Sequence, residues 1–419
     1  MQFFKWFYPG IGIKRWIIVC VIGLALLVMV ALLTVKTIAK TSAVQASFTT
    51  AALIFGIFLI YTSIKNMVRI FVRALMPPHR DGRLVDIVYQ KRQSESLLRG
   101  PRVVAIGGGT GLSTMLEGIK HFTSNITAIV TVTDTGGSSG RLRDEMDMLP
   151  PGDIRNCLVA LADAGPLIRD LFQYRFVTGE GLKGHSFGNL FITALSMVTG
   201  DFEKAIAESS KVLAIRGRVL PSTLDKVTLV GEFTDGTRQE GETNITGARK
   251  PLRSIHLKPD DCKACPEALD AISSADLVIM GPGSLYTSIL PNLLIQDIRD
   301  SIVNSDAYKV YICNAMTQPG ETVGFSAWDH LRTIIEHTDP RIVDAVYVNT
   351  AKIPEPLFQR YREVGALPVK LDLDKILDKG YELVTDEVLK SDSQVRHDAE
   401  KIMKSIIDHY MKNEKKLRG

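Results

Sequence analysis

The sequence predicts an α/β fold: a doubly wound, mostly parallel sheet preceded by an N-terminal hairpin of two transmembrane helices. Three observations carry this reading. Two long apolar runs occupy residues 1–75. Beyond residue 101, short β-branched runs alternate with stretches of helical spacing, the pattern of strands joined by crossover helices. Several of those runs stop abruptly at glycines, as strands do where they turn into helices.

The first apolar run, Trp16 to Leu33, has eighteen residues without a charge, enough to span a bilayer as a helix. Ala43 to Ile64 is a second charge-free run, more polar at its start. A signal peptide fits poorly, because the first run is long, no cleavage site follows it, and a second run comes at once. Lys5, Lys14 and Arg15 precede the first run; Lys65, Arg69, Arg73, Arg80, Arg83, Lys91 and Arg92 follow the second; only Lys36 and Lys40 lie near the connection. By the positive-inside rule both ends face the cytoplasm. Trp6, Phe7, Tyr8 and Trp16 supply interfacial aromatics. Residues 76–100, with Pro77, Pro78 and many charges, read as a linker.

The globular part follows at 101–390. Strands are expected at Arg102 to Ile106, Ile126 to Thr133, Ala275 to Met280, Lys309 to Cys313 and Ala345 to Val348. Val219 to Thr246 reads as an antiparallel insertion or an extension of the sheet, with Asp235-Gly236 as its hairpin turn. Residues 391–419 form a C-terminal amphipathic helix, apolar at Val395, Ile402, Ile406 and Tyr410, with a basic tail; a solvated helix is the plain reading.

Bulk properties exclude little but are consistent. Hydrophobic residues are 45% and charged residues 23% of 419, ordinary values for a globular chain. A net charge of +4 is too small to argue for a nucleic-acid partner. Five scattered cysteines suggest a reducing compartment and no disulfide framework. Cys262-x-x-Cys265 lacks a matching pair, so zinc is not expected, and the pair reads as a surface turn before a helix.

Four polar, glycine-bearing loops are the candidates for chemistry, because ligands of open α/β sheets bind beyond the carboxyl ends of strands. The first, Gly107 to Ser113, follows a strand and opens a helix. Its small residues allow amide groups to approach an anion at the helix N-terminus. It matches neither the dinucleotide fingerprint nor a Walker A loop. The second, Asp134 to Arg141, places an acid 23 residues after Gly111, where a ribose-binding or metal-binding carboxylate would stand; an Asx turn is the plainer reading. The third, Pro150 to Asn156, offers Asp153 as a helix cap or a ligand group. Further on, His185 and Asn189 sit among glycines. The fourth, Gly281 to Ser288, offers a second strand-to-helix anion site and the ring of Tyr286. Asn314 to Thr322 is a polar run that could complete a pocket wall.

The strings VVAIGGGTGLSTMLEGIK, ITAIVTVTDTGGSSGRLRDE, LPPGDIRNCLVALAD, LKGHSFGNLFITAL, ADLVIMGPGSLYTSILPNLL and VYICNAMTQPGET together resemble the gluconeogenesis-factor (YvcK-like) family. That family belongs to the CofD-like superfamily named for 2-phospho-L-lactate transferase. The resemblance implies a Rossmann-like core that binds a UDP-sugar, notably UDP-N-acetylglucosamine, and a regulatory role in cell shape and envelope synthesis on gluconeogenic carbon sources. Carried over by position, Gly108, Gly109, Thr110 and Gly111 would hold the diphosphate. Asp134, Ser138, Ser139, Asp153 and Asn156 would line the cleft, with His185 and Asn189 completing it. Gly283 and Ser284 would supply the second anion site, and Tyr286 would touch the nucleotide or sugar. No catalytic residue and no metal ligand is assigned. The alternative is a transferase of the 2-phospho-L-lactate type using magnesium. Where the family commonly has adjacent aspartates this chain has Asp134-Thr135, one oxygen ligand fewer for a divalent ion. With the hairpin, the resemblance implies a multi-pass protein of the bacterial inner membrane whose main domain is cytoplasmic. Envelope-synthesis or regulatory proteins, and further copies of the chain, are its expected partners.

Overall fold

The computed structural model describes residues 13–36, 43–75, 97–391 and 395–418. The chain divides into two compact units, Met1–Gln93 and Ser94–Gly419. The aromatic anchors Trp6, Phe7 and Tyr8, the connection between the apolar runs, and linker residues 76–96 lie outside the described residues.

The first unit holds helices Ile13–Lys36 and Ala43–Leu75. Within them Arg15–Leu33 and Ser47–Arg69 are long and apolar enough to cross a membrane, with mean hydropathies of 3.1 and 1.8. The second helix continues past the expected Ile64 through Lys65 and Arg69, because neither residue breaks a helix. Small residues set the packing. A Cβ on Gly23 would lie 2.9 Å from Ile60 Cγ1 and 3.1 Å from the Gly56 carbonyl oxygen, so the backbones approach as they do in membrane helix pairs. Ser63 Oγ donates to the Trp16 carbonyl. Ile18, Leu24, Phe48, Phe55 and Phe58 point outward, which suits lipid and not water.

Among the described residues the second unit has twelve strands: β1 Val103–Gly107, β2 Ile126–Val130, β3 Arg218–Pro221, β4 Thr228–Phe233, β5 Arg238–Glu240, β6 Leu252–Lys258, β7 Leu277–Met280, β8 Tyr308–Ile312, β9 Ala345–Asn349, β10 Glu382–Asp386, β11 Leu389–Ser391 and β12 Val395–His397. Seven form one sheet in the order β10-β9-β8-β7-β1-β2-β3. Every pairing in it is parallel. β1, β2 and β9 are buried along their whole length, as expected where helices cover both faces. Alternation along β1 divides the core: Val104 and Ile106 pack into one apolar cluster, Val103 and Ala105 into the other. The order reverses at β1, since β2 and β3 lie to one side and β7 to β10 to the other. The crevice between β1 and β7 is therefore a topological switch point.

Two expectations change at the edges. Of the two readings of Val219 to Thr246, sheet extension holds for β3, the edge strand of the main sheet that carries Val219, so the insertion begins later than Val219. The antiparallel piece is the separate sheet β5-β4-β6, with β4 and β5 joined at Asp235-Gly236 as expected; Gly236 has φ +79° and the Thr237 amide donates to Asp235 Oδ1 at 3.0 Å. The C-terminal helix, Ala399–Arg418, starts later than expected, because Val395 lies in β12 paired with β11; nor is it simply solvated, since Ile402, Met403 and Ile406 are fully buried in the main core. Gly118 makes room for it, since a Cβ there would lie 2.5 Å from the Ala399 carbonyl carbon. Cys262 and Cys265 precede helix Pro266–Ser273 as expected, but both are buried in the core and not on a surface turn. All five cysteines are free thiols.

Candidate ligand-binding site

Two strand ends meet at the switch point. After β1 the chain turns through Gly108 and enters helix Gly109–Ile119. Gly109 has φ +61°, a conformation that favours glycine. After β7 it turns through Gly281 to Ser284. The Gly281 amide donates to the Ile106 carbonyl at 3.0 Å, which ties the second bend to β1. The bends touch so closely that a Cβ on Gly111 would lie 2.2 Å from the Pro282 carbonyl oxygen. The Asn314 side chain clips the second bend, donating to the Gly283 carbonyl at 2.7 Å and accepting from its amide at 3.2 Å.

These bends open on a cleft of about 730 Å³, a size suited to a nucleotide-scale ligand. Gly108, Gly109, Thr110, Gly111, Gly283 and Ser284 line it, as the sequence predicts, and Asn314 to Pro319 with Glu321 form a wall. Tyr361, Val364, Ala366, Val395 and His397 also line it. No lysine or arginine is among the described residues that line it. An adjoining hollow of about 620 Å³ is lined by Asp134, Glu242, Thr243 and Arg249.

Carboxylates dominate the electrostatics. Asp153 is not a helix cap. It sits inside the first turn of helix Gly152–Leu161 and accepts the Gly109 amide. Burial, then the charge of Asp134, pushes its pKa up to about 6. Asp134 makes the Asx turn, accepting the Gly136 amide at 2.8 Å, and also faces the hollow. Glu242 was not foreseen. It opens helix Glu242–Ala248 of the antiparallel insertion and hydrogen-bonds with Asp134. Burial, then the charges of Asp134 and Asp153, raises it to about 8. Glu321 is raised by burial, although Ser284, Thr246 and Thr287 donate to it.

Asp134 lines the adjoining hollow and not the cleft, and Asp153, Ser138, Ser139, Asn156, His185 and Asn189 are in the lining of neither. The last five gather where helices Gly137–Met146, Gly152–Leu161 and Phe187–Thr199 begin. Ser138 Oγ shares a hydrogen bond with His185 Nδ1 at 3.0 Å and accepts from Asn189 Nδ2 at 3.0 Å. Ser139 packs against Gly152, where a Cβ would lie 2.1 Å from its Oγ. Asn156 Oδ1 accepts from Arg155 at 2.7 Å. The His185 pKa is lowered by burial and then by Arg141, which favours a neutral ring. Replacing Ser138 by alanine is expected to cost about 1–2 kcal/mol, as buried partners lose their hydrogen bonds. Ligand affinity should stay within about twofold, because the group is outside the cleft; chemical denaturation and calorimetry on one preparation check both.

Tyr286 is corrected outright. Its ring is 2% exposed, packed on Phe325 and His337 with centroids 6.4 and 6.2 Å away. The π-helical turn Leu285–Ile289 aims Ser284, Thr287 and Ser288 at the cleft and Tyr286 into the core. As for a metal, the trio of ligand atoms found within 4.8 Å of one another among the described residues is Glu203, Cys265 and Glu267. Asp134, Asp153 and Glu242 form a group of interacting carboxylates, the residue type through which a magnesium ion would be held together with water and ligand phosphates.

The unit is a doubly wound α/β fold with a cleft at its switch point, the place where small-molecule sites of such sheets are commonly found. The family model described as 2-phospho-L-lactate transferase CofD matches residues 103–389, and the chain belongs to that family. A gluconeogenesis factor of Bacillus subtilis (strain 168) is 46% identical over 309 residues, 74% of this chain and 98% of that protein. A provisionally named gluconeogenesis factor of Nostoc sp. (strain PCC 7120) is 44% identical over 427 residues, 98% of this chain and 93% of that one. That second match therefore includes the N-terminal helices. Among solved structures, a UPF0052 family member from Bacillus halodurans aligns with a TM-score of 0.72 at 47% identity, covering 74% of this chain and 99% of its own.

Proposed function

We propose that this protein is a membrane-anchored, regulatory nucleotide-sugar-binding protein, with UDP-N-acetylglucosamine as the ligand type. In this reading it acts in envelope synthesis and cell shape during gluconeogenic growth. The observation that carries it is the contact between the Gly107–Gly111 and Gly281–Ser284 bends across the switch point, opening on one cleft. The Gly281, Gly283 and Gly109 amides are already engaged, so the Thr110 and Gly111 amides at the helix start and the Ser284 amide of the second bend would face the diphosphate, as helix N-termini do for anions. With no lysine or arginine among the described lining residues, those amides are the positive potential assigned to the diphosphate. The polar wall at Asn314 to Gln318 suits sugar or base hydrogen bonding. The names of the relatives support the gluconeogenic setting, and the two apolar helices with their flanking basic residues support the inner-membrane anchor.

Calorimetry of the Ser94–Gly419 unit with UDP-N-acetylglucosamine should give saturable heat. No heat at millimolar ligand from folded protein would overturn the reading. The transferase alternative draws on the Asp134–Asp153–Glu242 group. It predicts nucleotide release from a diphosphate-activated donor with magnesium, and a lack of turnover across uridine, guanosine and lactyl-type donors removes it.

A further inference from the structure

Residues 166–200 form an excursion that the cleft does not use. Helix Pro166–Gln173 packs on helix Phe187–Thr199 through Phe172, whose ring lies 5.9 Å from Phe187 and 5.0 Å from Phe191. Between them the chain makes a small hairpin: the Phe176 amide donates to His185 at 2.9 Å and the Gly184 amide to Phe176 at 2.8 Å. Its inner side is well packed, but its outer side is apolar and bare. Leu167 is 79% exposed, Val177 72% and Val198 82%, with Leu171, Tyr174 and Met197 exposed as well. In helix Phe187–Thr199, thirteen residues with no charge, only Gly188, Asn189, Ile192 and Thr193 are buried. Such clustered apolar exposure marks an interaction surface. At thirteen residues this helix is too short to span a bilayer.

The charges beside it indicate the occupant. The excursion carries Arg169, Arg175 and Lys183 against Asp170 and Glu180. Helix Gly137–Met146 adds Arg141, which donates to the Lys183 carbonyl at 2.9 Å, and Glu145, so the basic excess on this side is one charge. Arg175 donates to the Gly184 carbonyl at 2.5 Å, so two guanidinium groups are held at the base of the hairpin that bears Tyr174 and Val177. Protruding apolar side chains with an adjoining basic excess are the chemistry of an interfacial, bilayer-lying surface. The same chain carries two helices fit to cross a membrane, and a tether of that kind raises the effective concentration of bilayer at the unit.

We propose that the outer face of residues 166–200 is a docking surface for an anionic phospholipid bilayer, into which Leu167, Leu171 and Val177 insert. This rests on the reading that the N-terminal hairpin anchors the chain in a membrane. A crystallised relative consists of the α/β unit almost alone, since the match covers 99% of its chain and 74% of this one; the unit therefore folds without the hairpin.

Co-sedimentation of the Ser94–Gly419 unit with vesicles tests the proposal. It should pellet with phosphatidylglycerol-containing vesicles and far less with pure phosphatidylcholine. The pair Leu167→Asp with Val177→Asp should lower partitioning at least about tenfold, with an unchanged thermal midpoint because both side chains are exposed. Arg175→Glu with Lys183→Glu should remove the preference for the anionic lipid. Failure to pellet with either vesicle overturns the inference. So does a stable dimer of the unit dissolved by the same aspartates, since a second copy would then own the face. Carbonate washing of membranes holding the full-length chain reads the anchor separately: release would end the anchor reading and leave the vesicle result to decide the docking surface.

Discussion

Alanine at Gly111 is expected to abolish nucleotide-sugar binding and to destabilise the α/β unit by about 2–4 kcal/mol, the range of severe overpacking. The added Cβ would stand 2.2 Å from the Pro282 carbonyl oxygen and 3.1 Å from the Gly283 Cα. Its neighbours there are main chain, so no side chain can rotate away. The helix start and the β7 bend must part, and the amides of the two bends then lose their common focus. Gly165→Ala is the control. Gly165 has φ −56° and open space about its missing side chain, so a change within about 0.5 kcal/mol is expected. Thermal denaturation and ligand titration of the two variants form the measurement. Unchanged binding by the Gly111 variant would show that the bends do not hold the ligand.

Glu242→Gln should change how the protein responds to pH. The Glu242 carboxyl is raised from its ordinary 4.5 to about 8 by burial and by the charges of Asp134 and Asp153. Between those limits the folded protein keeps this proton while the unfolded chain releases it. Stability must therefore fall as pH rises through the window, and the penalty is complete above the folded value. Glutamine keeps the shape and carries no charge. The variant should match the wild type near pH 4 and melt about 3 °C higher, or more, at pH 9. Asp153 is raised from 3.8 to about 6 and contributes the same sign over a lower window in both proteins. Ligand binding gives a second readout. Wild-type affinity for a diphosphate should weaken above pH 8 as a negative charge develops beside the cleft, and that weakening should be reduced in the variant. Parallel pH profiles for the two proteins would remove Glu242 from the site.

The glycine bends were legible in the sequence because their signal is local. Val103 to Ile106 and Leu277 to Met280 are short, β-branched-rich apolar runs that stop at glycine, the pattern of a buried strand meeting a tight turn. The polar run Asn314 to Thr322 was legible for the same reason, lying just past β8. Tyr286 misled because one residue decides its side: Ser284 and Thr287 face the cleft while the ring between them enters the core. A polar loop has no period from which that direction can be read. The Ser138 group failed differently. Its residue types looked like a site, but its partners are 47 and 51 residues away and satisfy one another outside the cleft.

Glu242 marks what lies beyond a one-dimensional reading. It is 108 residues from Asp134, and the sole local hint is a polar stretch after a hairpin. The amino-acid order determined by itself the apolar N-terminal runs, the alternation of strand and helix, and the anion-suited bends, since each depends on side chains within a few positions. Tertiary structure alone decided the strand order that sets two bends side by side, the entry of the insertion's carboxylate, and the burial of the C-terminal helix. Those depend on which distant surfaces exclude water together, and the free energy of that burial belongs to the assembled sheet and not to any one segment.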